Sequence, residues 1–117
     1  MNTRINESKL SRTLFVDFEL YADNDPDFKR ELIDHMVDNL QELLQAYRTS
    51  IDQNDTTPFQ KVCHKVKTTL VILEDDELNA LVEDLKNMSV EGARISLLNK
   101  ICAEIIASLL SEKNRPS

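Results

Sequence analysis

One glycine, Gly92, and three prolines, Pro26, Pro58 and Pro116, are all the strong turn-makers in this chain of 117 residues. β-Hairpins lean on glycine for left-handed backbone and on proline for fixed φ at their turns, and a sheet needs many such turns. A chain this poor in both is left with helices, which short polar links can join. With hydrophobic residues at 41% and charged residues at 30%, there is enough apolar surface for one core. The length suits one all-α domain over 1–117, with polar ends 1–9 and 114–117 expected to be loose.

The apolar spacing divides that domain. In "LSRTLFVDFELY", Leu10, Leu14, Phe18 and Tyr21 recur at helical intervals and predict a short first helix. The alternation in "LFVDFELY" also reads as a strand, but no turn or pairing partner lies nearby. "DNDPDF" then supplies a start signal, with Asp25 as cap and Pro26 at the first position. The helix it opens is expected to reach about Arg48, with Phe28, Leu32, Met36, Leu40, Leu43, Leu44 and Tyr47 as its stripe. "TPFQ" repeats the grammar: Thr57 as cap, Pro58 first, and Gln60 placed to complete a capping box. That third helix is expected to end near Leu73 or Glu74. A fourth, about Asp76 to Asn87, carries Leu78, Leu81, Val82 and Leu85. A fifth, about Val90 to Lys113 with Ser89 as cap, turns Leu97, Leu98, Ile101, Ile105 and Leu109 inward. These predict an antiparallel up-down-up-down four-helix bundle with the short first helix as a lid. A monomer is the expectation, since one bundle uses up the stripes.

Charge and motif content narrow the function. A net charge of −7 disfavours nucleic acid and anionic membrane surfaces, both of which demand a basic face. No apolar run has the length of a membrane span and the N-terminal segment has no secretion-signal core, so a cytoplasmic protein is expected. Cys63 and Cys102 have no framework spacing and read as reduced packing thiols. There is no Cys-x-x-Cys and no paired Glu-x-x-His, so no metal site is expected, and without a glycine-rich phosphate loop the chain is not expected to bind ATP as a kinase does.

One segment stands apart from this acidic background. From Thr57 to Leu73 the chain holds Lys61, Lys65 and Lys67 but no Asp or Glu, so all 21 acidic residues lie elsewhere. At roughly 100° per residue, Phe59, Val62, Cys63, Val66, Leu70 and Leu73 share one arc of the helix. His64 falls roughly 140° from the centre of that arc. It is expected to face water with Gln60, Thr68 and Val71, and with Lys61 and Lys67 three residues away on either side. Histidine can carry a phosphoryl group covalently, and a nearby ammonium can neutralise its oxygens. Something anionic is expected here.

"CHKVKTTL" resembles the signature of histidine-containing phosphotransfer (HPt) domains, a His-x-apolar-Lys string in mid-helix followed by small residues. "NDPDFKRELIDHMVDNLQELLQAY" is similar to the helix that precedes it in that family. The resemblance implies an HPt-like helical bundle in which His64 is the phosphoacceptor and Lys67 steadies the phosphoryl group. Gln60, Lys61, Lys65, Thr68 and Val71 would surround the site and meet the partner. It further implies a carrier rather than an enzyme, exchanging phosphoryl groups with a response-regulator receiver domain and/or a hybrid histidine kinase. Mg²⁺ would sit on the receiver, and no cofactor would need to reside in this chain. The chain departs from the family pattern at Thr68, where a glycine is usual four residues after the histidine, and in "VILEDDEL", where the usual turn glycine is missing.

Other sites are weaker. His35 lies among Asp34 and Asp38, which would repel an anionic group. Cys63 points inward by phase, where a thiol is usually inert. The alternative function is a phosphorylation-independent helical adaptor that binds a receiver or kinase through the His64 face. A third is an unrelated helical interaction module.

Overall fold

The computed structural model describes residues 12–87 and 94–115, and every regular element among them is a helix. In chain order these are α1 (Phe18–Ala22), α2 (Pro26–Gln53), α3 (Thr57–Lys65), α4 (Lys67–Leu73), α5 (Asp76–Asn87) and α6 (Ile95–Lys113). α2 packs on α1, α3 and α6, while α5 packs on α3 and α6. The contacts of α2, α3, α5 and α6 thus close around a core that includes Ile33, Leu40, Phe59, Leu78, Leu98 and Ile105. None of the described helices is long and apolar enough to cross a membrane.

The helix ends explain how the chain manages with so little glycine. Asp25 caps α2 by accepting hydrogen bonds from the amides of Asp27 and Phe28 at 3.0 and 3.2 Å, with Pro26 in the first turn. At the far end Asn54 takes left-handed backbone, φ 52° and ψ 44°. The Asn54 amide donates to Ile51 O and the Asp55 amide to Ser50 O, which is the Schellman arrangement with asparagine in the usual glycine's place. Asp23 ends α1 and Glu74 ends α4 in the same left-handed region. Asx side chains tolerate that region better than most, and glutamate has no such advantage.

Several boundaries differ from expectation. α2 runs five residues beyond Arg48 because Ile51 still packs on the core and Ser50 is buried, its Oγ accepting from the Phe59 amide at 3.0 Å. That bond and an edge-to-face contact of Tyr47 with Phe59, ring centroids 5.1 Å apart, close the α2–α3 corner. Thr57 is not the cap of α3. The helix begins on it, Thr56 stands at the boundary without a side-chain cap bond, and the Asp55 carboxylate accepts from the Thr57 amide at 3.0 Å. The expected third helix is divided at Val66, whose φ of −95° and ψ of 12° lie off the helical values. Hydrogen bonds from the Val66 amide to Val62 O and from the Leu70 amide to Val66 O span the division. Beneath it, buried Asn39 of α2 donates from Nδ2 to Oγ1 of buried Thr69 at 2.6 Å.

α5 has the expected bounds, and buried Asp75 caps it by accepting from the Leu78 amide at 2.9 Å. α6 is helical from Ile95; the expected cap Ser89 and start Val90 lie outside the described residues. Phe28 and Leu97, read as stripe members, are 48% and 41% exposed. Both sit at the edge of their stripes, where spacing alone cannot separate core from rim.

The first helix is the largest correction. Only Phe18–Ala22 is helical, and residues 12–17 form a non-helical strap in which Leu14 and Val16 pack on the core while Phe15 points outward. Leu10 lies outside the described residues, and Tyr21 is 42% exposed. Arg12 fastens the strap. Its Nε donates to Asp75 at 2.8 Å and its Nη1 to Glu104 at 2.5 Å; its Nη2 bonds Glu77, and its amide donates to Ser108 Oγ at 2.6 Å. Bonds to both α5 and α6 hold the strap in place against any preference for a helix.

Candidate functional site

α3 and α4 turn Phe59, Cys63, Val66 and Leu70 into the core. The same helical phase leaves Gln60, Lys61, His64, Lys65, Lys67, Thr68 and Val71 exposed. Of these, Gln60, His64, Lys67 and Val71 line one groove of about 410 Å³, open to solvent. Cys63 and Leu70 are also in its lining, and Asn79, Val82, Glu83 and Lys86 of α5 contribute the opposite wall. Val71, 59% exposed, puts apolar surface beside the imidazole and the ammonium.

The remaining island residues do not join them. Lys65 bridges to Glu42 of α2 at 2.7 Å. Lys61 lies near the Asp55 carboxyl, which is held below the usual carboxylate range first by its hydrogen bonds from Thr57 and to a lesser degree by Lys61. Thr68 is exposed outside the groove lining. Gln60 does not complete a capping box; its Nε2 donates to the backbone oxygen of Lys86 at 3.0 Å, which ties the end of α5 to α3 one turn before His64.

The neighbours on α5 were invisible to a reading of α3 alone. Glu83 and Lys86 pair at 2.9 Å on the groove wall, so the basic island faces one carboxylate and one further ammonium. Burial pushes the Cys63 thiol up to about 12, with Lys86 and Glu83 acting on it in opposite directions. The thiol is therefore neutral near pH 7 and unsuited to nucleophilic attack. Cys102, buried and also at about 12, is held up by the same desolvation. Lys67 has no ion-pair partner among the described residues, in contrast to Lys65 and Lys86.

A wider cleft of about 760 Å³ lies between α1 and the end of α6. Both of its cations are engaged within the fold: Lys29 bonds Glu112 at 2.8 Å and lies over the Phe18 ring, and Arg115 approaches Glu112, while Asp25 caps α2. His35 is exposed on α2, and the described residues hold no group of three or more His, Cys, Asp or Glu placed to bind a metal. Among the described residues, the His64 groove combines an exposed imidazole with an unpaired ammonium one helical turn away, an arrangement able to hold an anionic group. No family model, curated protein or solved structure matches the chain.

Proposed function

We propose that this chain is a histidine phosphotransfer protein, an HPt-like carrier that holds a phosphoryl group on His64 between partners of a two-component signalling system. The observation that supports this most is the shared groove: His64 and Lys67 line it together, exposed, and the ammonium is not engaged by any described carboxylate. In the proposed step a neutral ring nitrogen of His64 attacks the phosphorus of a receiver's aspartyl phosphate. The N–P bond forms, the P–O bond to the aspartate breaks, the carboxylate leaves, and the displaced ring proton goes to water. Lys67 neutralises charge on the phosphoryl oxygens, and the receiver's Mg²⁺ supplies the rest, so the chain needs no resident cofactor. The overall picture is a cytoplasmic monomer. Its long helices, with α3 and α4 counted as one, form an antiparallel up-down-up-down bundle, and α1 acts as the lid.

Incubation with a radiolabelled phospho-receiver tests the proposal. Label is expected to move to the wild-type chain and not to His64→Gln, while both proteins bind the receiver. Binding without label transfer to the wild type would replace this function with that of an adaptor acting through the same face.

A further inference from the structure

The groove has a second wall, and that wall carries its own cation. Lys86 and Glu83 stand on α5 across from His64 and Lys67. They pair at 2.9 Å, with side chains 37% and 62% exposed. An i,i+3 pair at that exposure is weak and exchangeable. The backbone of Lys86 is fixed independently by the bond from Gln60 Nε2 to its carbonyl oxygen, so the side chain can change partner while its Cα stays in place. Both charges also reach the Cys63 thiol, the residue next to His64, which locates them over this stretch of α3.

We infer that Lys86 is a second cation of the phosphoryl site, held by Glu83 while the site is empty and recruited when the group arrives on His64. The inference rests on His64 being the phosphoacceptor. A phosphoryl group carries more charge than one carboxylate and offers three acceptor oxygens, so it outcompetes Glu83 for the ammonium. Lys67 and Lys86 then approach the group from opposite walls. Glu83 has the converse role: it keeps an empty groove from being strongly basic and repels the wrong anions.

The test reads the phosphoryl group itself. Wild type, Lys86→Ala, Glu83→Gln and Lys65→Ala are phosphorylated with phosphoramidate, and the ³¹P resonance is followed through the titration of the phosphoryl oxygens. A nearby cation favours the dianion. Lys86→Ala is therefore expected to raise the midpoint by about half a unit to one unit, and Glu83→Gln to lower it by a smaller amount. Lys65→Ala, whose ammonium is turned toward Glu42, is expected to move it less than either. Unchanged midpoints in both groove variants, with His64 phosphorylated, would overturn the role of Lys86 and leave Lys67 as sole cation. Failure of wild type to take a phosphoryl group on His64 would overturn the phosphoacceptor reading and this inference with it.

Discussion

Arg12 and Lys67 are both cations facing α5, and their surroundings are opposite. The guanidinium of Arg12, 17% exposed, is met by Asp75, Glu77 and Glu104, with its own backbone amide bonded to Ser108. Each of its guanidinium nitrogens has an acceptor. Burial opposes its charge, yet the contacts with Glu77 and Asp75 outweigh that and raise its pKa above the usual arginine value. Lys67 stands exposed in a groove without a carboxylate partner among the described residues. A cation whose partners are all supplied within the fold holds the fold together. One whose partner is missing is available for a group that arrives from outside. The contrast predicts that damage at Arg12 registers in stability alone and damage at Lys67 registers in chemistry alone.

The largest expected effect on stability is at Arg12. Arg12→Ala removes the strap's anchor and leaves buried Asp75 with only its capping role, for a loss of about 2–4 kcal/mol in denaturant unfolding. Phosphoryl uptake by the folded variant is expected to match wild type, and a selective loss of uptake would break the contrast. Next is the buried bond under the helix division. Thr69→Val strands the Asn39 amide and is expected to cost about 1–3 kcal/mol. Adding Asn39→Leu should recover part of that, a coupling that unfolding of the double variant would measure.

The thiols give a smaller, pH-dependent effect. Burial raises the folded pKa of Cys63 and Cys102 to about 12, so above the ordinary thiol range the unfolded chain releases protons that the folded chain retains. The stabilisation is complete below the unfolded pKa and declines as pH rises toward the folded one. Between about pH 8 and pH 9.5 the loss is about 1 kcal/mol per thiol. Unfolding of Cys102→Ala over that interval is expected to fall by about half the thiol part of the wild-type change. Smallest is Glu74→Gly. Glu74 holds φ 50° at the end of α4, and glycine there is expected to add about 0.5–1 kcal/mol to the unfolding free energy without altering His64.

What was legible in the sequence was local. Asp25-Pro26 marked the start of α2, and the Leu78, Leu81, Val82, Leu85 stripe marked α5, because capping and 3.6-residue periodicity act within one element. The outward phase of His64, Lys67 and Val71 was legible for the same reason. Arg12 was not, since its partners lie 63 to 96 residues away and its strap has no helical period to read. The division at Val66 was hidden because neither proline nor glycine marks it. Lys86 and Glu83 were hidden because the phase of α3 says which face is exposed and nothing about which helix stands beside it. Glu74 was visible only as a missing glycine; the left-handed backbone there gives that absence its physical meaning.

Intact mass after incubation with phosphoramidate, on wild type and His64→Gln in parallel and before and after acid treatment, tests the chemistry of the groove without a partner protein. The expected result is one phosphoryl-sized increment on wild type, lost in acid and absent from a folded His64→Gln. An acid-stable increment, or an equal increment on the variant, would contradict the assignment of His64 as the carrier.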